Sequence, residues 1–407
     1  MLSFLNKRPR IEGPAVRSRR ARRPLRIVSL LALAAILALA LTACTGGKLA
    51  VERGWSGPVI DDGIIYIGSR SGEVIAIDVT EFPRGGGPLD LDDERLRVVW
   101  RYPRMNDDNE FVAIYGTPAL TEDLVIIGLN SLEGRRDAQG VLTVLTKKPL
   151  ENRTEPEDLV WDFFTDGPIF GSPEVYEGAV FVADDEGVVY SVDLESGRQN
   201  WRVELSDKRI RSSPTAVDGV VYIAAMDKRL YALDTETGDP VWNQPFAAGG
   251  AMASKPLVVG DLVYVGAFDR EFHAVDIATG VERLSFETDH WIWNDPVVRD
   301  GVIYFGSLGG TFYALSADDL SEVWRFPRKN SSKDTDPIRA SAVIAGARIF
   351  VADRSGAVFA LDLIDGSEIR RDSLSVGEKV LASLAVAGDK LYVSDFDEML
   401  HEFNIAP

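Results

Sequence analysis

The sequence predicts an all-β protein, an eight-bladed β-propeller of four-stranded antiparallel blades. Three observations carry that reading. A unit of about 42 residues recurs eight times, the signature of a radial or stacked array. Each unit holds short β-branched and aromatic runs broken by Gly, Asp and Ser, which is the pattern of strands and tight turns. The last unit has no closing strand of its own, and a segment near the N terminus is free to supply one.

The unit reads most clearly at residues 212–242, SSPTAVDGVVYIAAMDKRLYALDTETGDPVW. A Ser-Pro lead-in opens a first strand, and an Asp-Gly turn joins it to a second strand built on Val-Tyr. A polar turn, a third strand ending Leu-Asp, a Thr-Gly turn and a closing strand with Trp follow. Lead-in prolines stand at Pro58, Pro118, Pro173, Pro214, Pro256 and Pro296, with Ala342 and Leu384 in the equivalent places of units seven and eight. From the third unit onward the spacing is 40 to 46 residues. Second strands carry Tyr66, Phe181, Tyr222, Tyr264, Tyr304, Phe350 and Tyr392, and closing strands carry Trp100, Trp161, Trp201, Trp242 and Trp324.

A solenoid of these units would leave two sheet edges open, whereas a ring hides both. Residues 48–53, KLAVER, precede the first lead-in and are expected to close blade eight as an N-terminal strand. Two connections between third strand and closing Trp are long. Blade one takes 22 residues, from Asp78 to Trp100, and blade two takes 15, from Thr146 to Trp161, where most blades take eight. Insertions in surface loops cost little, so drift is the simpler reading; a partner-binding edge is the functional one.

The N terminus is of a different kind. Nine basic residues and one acid fill the first 26 positions, and residues 27–41, IVSLLALAAILALAL, are uncharged. Fifteen residues suit the apolar region of a signal peptide better than a membrane span of about 20. The sequence Leu41-Thr42-Ala43-Cys44 that follows resembles a bacterial lipobox, which implies diacylglyceryl attachment at Cys44 and cleavage before it. The expected organisation is a lipoprotein signal peptide over 1–43 and a propeller over 44–407. The arginine pairs lack the hydrophobic residues of a twin-arginine signal, and the choice between the two export routes stays open.

Without the leader the chain keeps 35 basic and 62 acidic residues, a net charge near −27. Such a surface repels phosphate backbones and anionic headgroups, so no nucleic acid is expected as a partner and the membrane is held through the lipid alone. Cys44 is the only cysteine, which excludes an intramolecular disulfide.

The strings VVYIAAMDKRLYALDTETGDPVW, VYVGAFDREFHAVDIATG and IYFGSLGGTFYAL resemble the pyrroloquinoline-quinone-type propeller repeat over nearly all of the chain after the leader. That repeat builds both quinone-dependent dehydrogenases and non-catalytic lipoproteins, so it specifies fold better than function. The whole layout is most similar to the BamB-like lipoprotein type. The resemblance implies a monomeric, non-catalytic scaffold that binds envelope proteins, lipid-anchored outside the cytoplasm to the cell membrane or the outer membrane. The alternatives are a quinone-dependent oxidoreductase, with the quinone and calcium as cofactors, and a propeller that senses a small ligand or peptide.

No catalytic set emerges. The adjacent-cysteine disulfide on which many quinoproteins stack their cofactor is impossible here, and the acidic pairs Asp184-Asp185 and Asp395-Phe396-Asp397 lack the spacing of a calcium loop. They read as solvated turns. His273 and His401 occupy the third-strand position held elsewhere by Tyr190, Tyr231 and Tyr313, and read as packing substitutes. A zinc cluster calls for more His and Cys than the chain has. No cofactor and no metal is expected.

Departures from the repeat supply the candidate site. Three residues before the lead-in Pro the units present Trp55, Tyr115, Phe170, Arg211, Ala253, Trp293, Arg339 and Leu381. Propeller geometry puts this connection at the mouth of the central channel. Immediately before the Pro, where Ser or Thr is usual, units five and six carry Lys255 and Asp295, placed on neighbouring blades to form an ion pair. His290 lies in the same lead-in as Trp293. Aromatic and arginine side chains around a funnel have the composition of a binding surface. The structural alternative is that the aromatics staple adjacent blades.

Overall fold

In the computed structural model the repeat folds as its turns dictate. The structure describes residues 54, 56–83, 87–103, 111–131, 139–147, 159–205, 207–327, 335–369 and 374–406. The leader, Cys44, residues 48–53 and Trp55 lie outside the described residues, as does most of the blade-two insertion.

Blade three shows the plan. Its strands Glu174–Tyr176, Ala179–Ala183, Val188–Asp193 and Gln199–Glu204 pair in that order, each antiparallel to the next. In blades one, three, four and six the two-residue hairpin between first and second strands puts both central residues at positive φ, as at Asp218 (49°) and Gly219 (77°). That turn matches the twist of its flanking strands, and Asp-Gly is among the pairs that adopt it most readily.

Eight such sheets form one ring, within a unit that runs from Arg53 to Pro407. Seven have four strands. Blade two has five, because Phe111–Ala113 and Ala119–Leu120 share the long second strand Leu124–Ser131. The hydrophobic core lies between blades: Phe181, Val189 and Trp201 of blade three pack on Val221, Ile223 and Leu233 of blade four, and equivalent layers recur around the ring.

In blades one to four and six a tryptophan stitches the blade to the next; Trp242, expected in the closing strand of blade four, lies just before that strand, Phe246–Ala247. The Nε1–H of Trp100, Trp161, Trp201, Trp242 and Trp324 donates to the carbonyls of Lys147, Leu194, Thr235, Ile277 and Leu363, at 2.8–3.0 Å. Under the rings of Trp161, Trp201, Trp242 and Trp324 lie Gly197, Gly238, Gly280 and Gly366 of the following Ser-Gly, Thr-Gly or Asp-Gly turn. Blade five has Leu284 instead of Trp, and there the hydroxyl of Tyr264 donates across the interface to the Ala317 carbonyl.

Ring closure differs from the sequence expectation in its source. The fourth strand of blade eight is Leu89–Asp90, inside the blade-one insertion, pairing with Leu400 and Met399. The expected segment, 48–53, lies outside the described residues. The insertion is therefore a structural element, and drift does not describe it. Leu89, Leu91 and Leu96 fill the layer between blades one and eight beside Tyr392 and Leu400. Pro88, which has no N–H, ends the pairing at two residues. Arg70 of blade one reaches the Phe396 carbonyl of blade eight at 2.7 Å and covers its ring.

Candidate functional site at the channel mouth

The lead-in segments run from an outer strand to the innermost strand of the next blade, so they converge on the ring axis. One cavity is lined by lead-in residues of all eight blades, from Gly57 through Thr117, Ser172, Ser213, Ala253, Asp295 and Ser341 to Ser383. It is a funnel of about 640 Å³, continuous with solvent. Six of the repeat-breaking residues line it, Tyr115, Phe170, Arg211, Trp293, Asp295 and Arg339, together with Ala253 and Leu381. Lys255 and His290 do not.

A belt of hydrogen bonds fixes the throat. The backbone N–H of Thr117 donates to Ser172 Oγ, and that of Ser172 to Ser213 Oγ, both at 2.9 Å. Further round, the N–H of Lys255 donates to Asp295 Oδ1 at 2.8 Å and that of Asp295 to Ser341 Oγ at 3.0 Å. At Ser172, Ser213, Asp295 and Ser341 the residue before the Pro position thus serves as the acceptor for the preceding blade, which accounts for the recurrent Ser. Asp295 is a carboxylate doing a hydroxyl's work.

The expected ion pair between Lys255 and Asp295 does not form. The Lys255 ammonium reaches past blade four to Glu174 of blade three, 2.8 Å away. Lys255 offers no acceptor for the belt, and its side chain ties blade five to blade three instead. Burial raises the Asp295 carboxyl above the usual carboxylate range, against the pull of the Lys255 N–H and charge.

Above the throat the rim carries two stacks. Tyr115 lies on Phe170 with ring centroids 4.4 Å apart, and the Arg211 guanidinium covers Phe170 at 4.5 Å. Asp185 anchors Arg211 at 3.0 Å and Arg209 at 3.4 Å. It was expected as a solvated turn residue, yet burial raises its carboxyl although both arginines oppose the shift. In the second stack Phe268 sits between Trp291 and Trp293, at 5.1 and 5.3 Å, and Arg339 covers Trp293 at 4.4 Å. His290 lies outside the funnel; its Nδ1 accepts the Trp291 N–H at 2.8 Å. Asp185 and Phe268 lie in turns between second and third strands and meet the lead-in only across a blade boundary, which leaves no mark in the sequence, whereas Asn294 stands inside the lead-in and donates to the Ala340 carbonyl at 3.3 Å.

Asp184 and Asp395 are not solvated either. Asp184, fully buried, accepts from the N–H groups of Gly167 and Val188 and from the Tyr190 hydroxyl. Asp395 accepts from Met399 N–H, and His401 Nε2 lies 2.7 Å from its Oδ2. His273 Nε2 faces Asp269 Oδ2 at 3.3 Å, so the two histidines replace tyrosine as polar partners of turn carboxylates as well as in packing. Burial opposes charge on His273, but Asp269 and Glu282 together hold its pKa above the usual value.

The fold defines the class, an eight-bladed β-propeller with an open axial funnel. The family model described as outer membrane protein assembly factor BamB, PQQ_2, matches residues 153–267 and 247–407, and the chain belongs to that family. No curated protein sequence matches the chain. Among solved structures, BamB from Moraxella catarrhalis is similar at 20% identity, with a TM-score of 0.65, over 85% of this chain and 95% of that one. The computationally designed Ika8 protein is similar at 12% identity, with a TM-score of 0.68, over 87% and 97%. At these identities the structural likeness speaks to fold alone.

Proposed function

We propose that this protein is a lipid-anchored, non-catalytic scaffold of the bacterial envelope, held through Cys44, that captures a partner protein at the channel mouth. The carrying observation is the composition of that mouth. In a chain near −27 after its leader, two arginine-capped aromatic stacks face one funnel where, among the described residues, the only lining carboxylate is Asp295, already engaged in the belt. Phe170, Arg211, Trp293 and Arg339 are partly exposed there, and aromatic and arginine side chains so placed are what interface hot spots are made of. Family membership supports the envelope role, since its model bears the name of an outer-membrane assembly factor.

Crosslinking in intact cells, with identification of the trapped neighbours, tests the proposal. Trp293→Ala and Arg339→Ala are expected to lose the trapped envelope protein while circular dichroism shows an intact fold. Unchanged crosslinks in both variants would move the binding surface elsewhere.

A further inference from the structure

We infer that blade five carries a divalent metal site of the zinc class, formed by His273, Asp269 and Glu271. Ligand atoms of the three lie within 4.8 Å of one another. His273 is 2% exposed, and Glu282 Oε1 takes its Nδ1–H at 2.7 Å. That bond turns Nε2 toward Asp269 Oδ2, as in carboxylate–histidine–metal arrangements.

Blade eight provides an internal comparison. There His401 Nε2 meets Asp395 Oδ2 at 2.7 Å, an ordinary charge-assisted hydrogen bond. In blade five the same two atom types stand 3.3 Å apart. That separation is close to the edge of a tetrahedron of N and O ligands around zinc, about 3.3–3.4 Å for bonds of about 2.0–2.1 Å.

Charge points the same way. Asp269, Glu271 and Glu282 surround one imidazole, and among the described residues the Glu271 carboxylate makes no hydrogen bond or ion pair. A doubly charged ion offsets this concentration better than a proton. Asp269 is held for the role: its Oδ2 accepts from Gly249 N–H at 2.7 Å and Gly250 N–H at 3.0 Å, and its Oδ1 from Glu271 N–H at 3.1 Å. With two carboxylates and one imidazole, such a site needs no cysteine and no second histidine. Phe268, the residue before Asp269, is the middle ring of the second rim stack, so a bound ion fastens the turn that presents it.

The test is calorimetric titration of the chelator-stripped full chain with zinc chloride, with magnesium chloride as the comparison. One zinc per chain, no magnesium and a raised melting temperature with zinc are expected. Glu271→Gln should bind at least about tenfold more weakly while melting as wild type does in chelator, and His290→Ala should bind as wild type does. Absence of zinc uptake by wild type, undiminished binding by Glu271→Gln, or loss of binding in His290→Ala would each overturn the site.

Discussion

At the scale of the residue, position in the repeat decides chemistry. The place before the lead-in Pro supplies a side-chain acceptor to the preceding blade at Ser172, Ser213, Asp295 and Ser341, and Lys255 is the exception. Asparagine keeps the acceptor oxygen without the charge. Because burial raises the Asp295 carboxyl in the folded state, its contribution is fully present below the unfolded carboxyl value of about 3.9 and is lost as pH rises through the higher folded value. Asp295→Asn is therefore expected to match wild type near pH 3 to 4 and to gain in relative melting temperature as pH rises to neutrality. A flat difference across that range would show that the carboxylate is already compensated. That Asp295 and Lys255 break the repeat was legible from the sequence. That Lys255 turns to Glu174 was not, because Glu174 lies two blades away and only the curvature of the ring brings them together.

At the scale of the element, the tryptophan of one blade and the turn glycine of the next form a single joint. Gly238 has φ +77°, and a Cβ there would lie 2.9 Å from the Trp201 ring. Gly178 has φ +78° with nothing within 4 Å. Gly178→Ala is expected to cost about 1 kcal/mol, the strain of a left-handed alanine, and Gly238→Ala about 2–3 kcal/mol because the clash adds to it. Denaturant unfolding of both variants measures the difference. Alternating apolar runs and Asp-Gly or Thr-Gly turns made strands and hairpins readable from local chemistry alone. The partner of each tryptophan was not readable, since Trp201 and Thr235 are 34 residues apart and adjacent only once two sheets have packed.

At the scale of the whole molecule, the ring depends on a two-residue strand. Leu89 is 3% exposed in the layer between blades one and eight. Leu89→Ala is expected to lower the free energy of unfolding by about 2–5 kcal/mol, as a cavity in a core does. Ile364→Ala, at a residue 80% exposed, should stay within about 0.5 kcal/mol. Equal effects in a urea titration would mean that Leu89–Asp90 does not hold the ring.

The sequence by itself determined the repeat, the strands, the turns and the number of blades, because each of these follows from patterns within some 40 residues of chain. It also marked the channel-mouth positions, since a repeat makes every departure visible. Only the tertiary structure decided which blade-one segment closes blade eight, where Lys255 finds its anion, and that Phe268, Asp269, Glu271 and His273 adjoin the rim. Those outcomes depend on contacts between blades, and the curvature that creates such contacts belongs to the closed ring and to none of its units.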